Sequence, residues 1–176
     1  TLFPYTTLFR SVIVRELDDD AAVIMMVDSN LQRENILPSE RAKAYKMKLE
    51  ALKHQGQRHD LTSTQVVEKL AAEQVGDDAG ISRESVRRFV RLTELIPEIL
   101  DMVDEKKISM TPAVELSYLK PEEQRNFLEA MDYAQAAPSL SQAQRMKKKS
   151  QESGCTLDDM CSIMDEVKKD DLGQIA

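Results

Sequence analysis

The segment EQVGDDAGISRESVRRFVRL, Glu73–Leu92, decides how the chain is read. Two short helices crossing steeply need small or apolar residues at fixed inward places. Val75 supplies an inward apolar side chain, and Gly76 lets the second helix approach closely. Ala79 is small, Gly80 can take the left-handed backbone of a turn, and Ile81 plugs the space beneath it. Ser82 is a good N-cap for the second helix, whose Val86 and Phe89 return to the core. All these positions agree with one register, which predicts a helix-turn-helix over roughly Gln74–Leu92.

The same register puts Arg83, Arg87 and Arg91, four apart, on one outer face with Arg88 beside them. Ser82, Arg83 and Ser85 stand at the helix N-terminus, the end that enters a major groove in such motifs. Arginine there can make paired hydrogen bonds to guanine, whereas Arg88 and Arg91, farther along, are placed for phosphates. Gln74, Ser82, Arg83, Ser85, Arg87, Arg88 and Arg91 are therefore the candidate DNA-contacting residues. The competing reading is an ordinary helical hairpin with a basic surface. Helix, glycine, helix is a common sequence; its coincidence with Gly76, Ala79, Ile81, Val86, Phe89 and three stacked arginines is much rarer.

The 176 residues suffice for one ordinary domain or two small ones. With 41% hydrophobic and 31% charged residues a packed core is expected, and with 5% aromatics and no Trp it must rest on aliphatic residues and the 9 Met. The net charge of −7 argues against nucleic acid until its distribution is considered. Arg41–Asp60 holds six Lys or Arg against Glu50 and Asp60, Ser82–Leu92 four Arg against Glu84, and Leu157–Ala176 six acids against Lys168 and Lys169. Basic segments can thus bind locally while acidic ones turn away or face proteins. The longest apolar run, Ala21–Val27, is far short of a bilayer span. Cys155 and Cys161 suit a reducing compartment and read as two half-buried thiols, since no third cysteine would complete a zinc site.

Outside the central motif, TLFPYTTLFRS (1–11) carries three of the eight aromatics and no acid; it reads as a non-native leader, with the native sequence starting near Val12. Val12–Leu17 is predicted as a strand, followed by a helix over Ala21–Asp28, apolar almost all round and so buried on several sides, with Asp18–Asp20 at its start. Ser39 is expected to cap a helix whose stripe is Ala42, Tyr45, Leu49 and Leu52, with Gly56 ending it. The lysines and Arg41 lie mostly off that stripe and are either a solvated face or phosphate contacts. Thr62 or Ser63 caps a stretch reaching about Ala79 that could break within it. Helices are further predicted over Pro97–Lys106, over Pro112–Leu119 with Thr111 as cap, and from Pro121 to about Ala134. Two terminal helices follow, Ser141–Glu152 and Thr156–Lys169, the last opening on a Thr156 and Asp159 capping box. The fold class is mainly α. The divisions expected are a leader 1–11, an N-terminal remnant 12–60, a helix-turn-helix domain 61–137 and a helical extension 138–176.

With these elements in place, the sequence resembles the ParB family of plasmid and chromosome partition proteins. NLQRENILPSERAKAY (Asn30–Tyr45) resembles that family's third conserved box, which closes its N-terminal nucleotide-binding α/β domain. Ile81–Leu119 resembles its DNA-binding domain: recognition helix, linker helix and the helix after the KIS turn. The resemblance covers about Val12–Met146 and fades beyond Pro138. It implies a cytoplasmic, nucleoid-associated homodimer that binds a centromere-like duplex site and works with a ParA-type ATPase. In many members it also implies clamping under CTP and magnesium. On matching positions, Asn30 would approach metal and phosphates and Arg33 would support the nucleotide pocket. Two departures tell against nucleotide binding by this chain: Ser29 stands where the family usually has Glu, and no arginine-rich phosphate loop precedes Val12. The apolar motif that stimulates the ATPase is not visible either.

Nothing in the sequence marks an enzyme. His54 and His59 read as surface or phosphate-contacting residues, Asp18–Asp20 and Asp158-Asp159 as helix-start caps, and neither a phosphate-binding glycine loop nor a nucleophile elbow occurs. The expectation is a sequence-specific DNA-binding protein of partition or nucleoid organisation. The alternatives are a CTP-dependent DNA clamp in full-length form, and a helix-turn-helix regulator of a mobile element whose acidic C-terminal helices dock a protein.

Overall fold

In a computed structural model, residues 14–58 and 64–165 are described; they form nine α-helices and no strand. The elements are α1 (Asp19–Leu31), α2 (Pro38–Arg58), α3 (Thr64–Ala79), α4 (Arg83–Leu92), α5 (Pro97–Asp104), α6 (Met110–Leu116), α7 (Pro121–Ala134), α8 (Leu140–Glu152) and α9 (Leu157–Met164). The fold is mainly α, as the sequence predicts.

Several local expectations are met for the expected reasons. Asp18 caps α1 by accepting the Ala21 N–H at 2.7 Å. Pro121 opens α7 at its first helical position, and Thr156 with Asp159 forms a capping box at the start of α9. Others are not. The described part of the predicted strand, Val14–Leu17, has no regular structure and is exposed, because no other strand among the described residues offers it a ladder; Val12 and Ile13 lie outside the described residues. α1 packs chiefly on α2, so of its hydrophobic residues only Val27 is buried while Met25 and Met26 face outward. Ser39 is not a cap: Pro38 already begins α2, and the Ser39 N–H is taken by the Asp104 carboxylate of α5 at 2.9 Å. Gly56 does not end α2, which continues to Arg58; one interior glycine costs only about 1 kcal/mol. α3 is unbroken, and its expected caps Thr62 and Ser63 lie outside the described residues. α6 starts at Met110 with Ser109 in the cap position, not at Thr111; the first turn needs no internal N–H, so Pro112 is accommodated within it.

The core consists of two apolar clusters. One joins Tyr45 and Leu49 of α2, Ala71, Ala72 and Val75 of α3, and Val86 of α4. The other gathers Leu92, Ile99, Ile108, Leu116, Phe127, Met146 and Met160, so α8 and α9 share a core with α4–α7 and the packing does not divide at Pro138. Phe89 packs against both clusters and meets Tyr45 edge-on, ring centroids 5.5 Å apart. Buried amides tie the second cluster together. Gln124 accepts the Ile96 N–H at 2.8 Å and donates to the carbonyls of Glu94 and Leu119. Gln142 donates to the last carbonyls of α9, at Ile163 and Met164.

Candidate nucleic-acid interface

The turn between α3 and α4 is built as the spacing requires. Gly80 has φ +66°, the left-handed region that favours glycine. A Cβ at Gly76 would come within 2.7 Å of the Ile81 carbonyl oxygen, so only glycine lets the turn fold back on α3. Ile81 closes that turn by donating its N–H to the Gly76 carbonyl at 2.9 Å. Ser82 then caps α4: its Oγ accepts the Ser85 N–H at 3.1 Å and lies 2.9 Å from the Ser85 hydroxyl. Val75 and Val86 are fully buried between the two helices.

The outer face of α4 carries Arg83 and Arg87 together. Glu84 stands between them, its Oε1 3.2 Å from Nη1 of Arg87 and 3.9 Å from Nη2 of Arg83. Arg88 is exposed at the edge of a groove between α4 and α6, beside Ser85, Met110 and Thr111. Gln74 is exposed on α3. Arg91 departs from the expected row. Its Nε and Nη2 donate to the hydroxyl and the carbonyl of Ser117, at 3.2 and 2.9 Å, and its guanidinium lies 4.1 Å from the Tyr118 ring centroid. The Lys147 ammonium also approaches that ring, at 3.7 Å, and pairs with Glu115 at 2.8 Å. Arg91 therefore fastens the end of α4 to α6.

The basic stretch of α2 is mostly turned to internal partners. Arg41 stacks on Phe89, Lys46 pairs with Glu94, and Lys53 pairs with Glu68. Lys48 is buried, contrary to either reading of a solvated or phosphate-facing lysine, with its Nζ 2.5 Å from Asp28 and 2.7 Å from Asp78. Burial disfavours the charge, but the hydrogen bonds and charges of Asp28 and Asp78 outweigh it and leave the Lys48 pKa above the ordinary lysine value. The sequence held one signal for this: Lys48 lies inside the Tyr45, Leu49, Leu52 stripe, where a lysine requires partners. His54 is an exposed residue with Nδ1 3.4 Å from Asp20, and His59 lies outside the described residues.

Asn30 and Arg33, at the end of α1, are exposed and line one shallow groove with Met26, Ile36, Lys43 and Met47. The nearest carboxylate before Asn30 in sequence, Asp28, is committed to Lys48. Glu40 lines the same groove, its carboxylate accepting the Leu37 N–H at 3.2 Å. Among the described residues no group of three or more His, Cys, Asp or Glu is placed to hold a metal. No described helix is long and apolar enough to cross a membrane.

Comparison with known proteins agrees with this geometry. The family model described as the ParB HTH domain matches residues 34–152, past Pro138 and through α8. The chromosome-partitioning protein Spo0J of Thermus thermophilus is 30% identical over 111 residues, covering 63% of this chain and 35% of that protein. A nucleoid occlusion protein of Listeria monocytogenes is 30% identical over 113 residues, 64% of this chain and 34% of that one. A probable chromosome-partitioning protein ParB of Xylella fastidiosa is 35% identical over 111 residues, 63% of this chain and 31% of that one. The chain thus spans about a third of the length of these relatives.

Proposed function

Because the chain belongs to the ParB HTH domain family, whose model covers more than half of it, we propose that it binds a specific duplex DNA site in chromosome or plasmid partition or nucleoid organisation. The observation that carries the reading is the Gly76–Gly80 turn, which holds the N-terminal turn of α4 outward with Arg83 and Arg87 on its exposed side. A helix presented in this way enters the major groove, where arginine reads guanine through two acceptors. On this reading Ser82 and Ser85, at the same end, would meet phosphate or base, and Arg88 the flanking backbone. The relatives named for partition and nucleoid occlusion support the biological setting.

The test is selection of duplexes from a random pool, followed by titration of an enriched site and a scrambled one at several salt concentrations. The expected result is a preferred sequence whose affinity falls steeply with salt, log affinity dropping by about 0.9 per phosphate neutralised for each tenfold rise in salt. No enrichment, with equal affinity for both duplexes, would remove the proposal.

A further inference from the structure

Resting on that DNA-binding reading, we infer that Glu84 is a specificity-determining residue of α4, one that holds Arg83 and Arg87 back from non-cognate duplex. Glu84 is the second residue of the recognition helix, in the first turn, where a carboxylate is favoured by the helix dipole. Its side chain is 63% exposed, on the same outward side as the two arginines. One oxygen faces both guanidinium groups, at 3.2 and 3.9 Å.

This arrangement acts differently on the two kinds of DNA. A non-cognate duplex has its base-edge acceptors out of register and meets Arg83 and Arg87 chiefly through phosphates, so each guanidinium would exchange one anion for another while Glu84 is driven toward a polyanion. A cognate site offers fixed pairs of acceptors on base edges, which reward release of the arginines from Glu84 in a way that a diffuse backbone does not. Specificity is a difference of affinities, and a repulsive group directed at the wrong partner widens it. The contact between Glu84 and Arg87 does not need to stabilise the fold for this to work. An exposed pair contributes little there, and the effect lies in what must be given up on binding.

The experiment compares the whole chain with Glu84→Gln and Arg87→Ala on an enriched duplex and a scrambled duplex of the same composition. Glu84→Gln is expected to bind the scrambled duplex about two- to fivefold tighter while its affinity for the enriched site stays within about twofold, so discrimination narrows. An equal gain on both duplexes would make Glu84 a bulk charge, and a selective loss on the enriched site would make it a direct base reader; either overturns the inference. The DNA-binding reading is separable. If Arg87→Ala erases the preference while Glu84→Gln leaves the ratio unchanged, only this inference fails. If the unaltered chain enriches no duplex, the reading itself fails.

Discussion

The Lys48 ammonium lies 2.7 Å from the Asp78 carboxylate, two residues before Gly80 at the end of α3. With Asp28 at 2.5 Å, it pins α1 and α2 to the first helix of the motif. Lys48→Met should keep the volume and remove the charge, leaving two half-exposed carboxylates without their partner. A loss of roughly 1–3 kcal/mol is expected in urea unfolding, below the range for fully buried pairs because both acids reach solvent. The pH sign follows from the raised pKa. The contribution is fully present below the ordinary lysine pKa of about 10.4 and is lost as pH rises through the higher folded value. The stability gap between the two proteins should therefore be constant at neutral pH and close only in strong alkali. Equal stability at neutral pH would deny the pin any role.

The two glycines of the turn should respond unequally to alanine. Gly76→Ala sets a Cβ 2.7 Å from a backbone oxygen that cannot swing away, so a loss of roughly 2–3 kcal/mol is expected. Gly80→Ala meets no atom within 4 Å and suffers only the left-handed strain, about 1 kcal/mol. Thermal or denaturant unfolding of both variants checks the order, and the reverse order would contradict the close approach.

The arginines of α4 should separate by role. Arg83→Ala and Arg87→Ala are expected to relax sequence preference, each by roughly 1–3 kcal/mol of discrimination. Arg88→Ala should weaken all duplexes alike. Arg91→Ala should lower stability, because it removes two bonds to Ser117 and the stack on Tyr118. Titrations of two duplexes beside melting curves distinguish these patterns. Lost preference without lost stability in Arg91→Ala would place that side chain on the DNA after all.

Cys155 should be inert while the protein is folded. It is buried, and burial, with Asp159 and Glu123 nearby, pushes its thiol up to about 11, so almost no thiolate exists at neutral pH. Thiol labelling should proceed at Cys161 first and reach Cys155 only under denaturant. Equal rates in native buffer would refute the packing around α9.

Acid should loosen the same region. Asp159 is held down to about 2 by its hydrogen bonds from Lys149 and Thr156, and hydrogen bonds from Ser150 and the Lys120 and Cys155 backbones overcome desolvation to lower Glu123. A depressed carboxylate stabilises above its ordinary value and loses that contribution as pH falls through the folded one. Glu123→Gln should therefore flatten the decline in melting temperature as pH falls below the ordinary glutamate value of about 4.3. An unchanged slope would show that Glu123 titrates as a free acid.

The helix-turn-helix was legible because its demands are local. A left-handed turn needs Gly80, a close approach needs Gly76, and a cap needs Ser82, and each shows in the residue itself. Helices opened by proline, such as α5 and α7, were legible for the same reason. Long-range partners were not. Nothing near Arg91 in sequence announces Ser117, nothing near Ser39 announces Asp104, and the described part of the strand expected at Val12–Leu17, residues 14–17, lacks the neighbours that β-branched composition cannot supply.

Phe89 makes the rear of α4 a party wall between two apolar compartments. Such a wall cannot tilt without opening one room or the other, so α4 has little freedom to follow a groove that is too narrow or too straight. If α4 docks on duplex as proposed, the adjustment falls to the nucleic acid. The ease with which untouched base steps bend would then enter the choice of site alongside the contacts themselves.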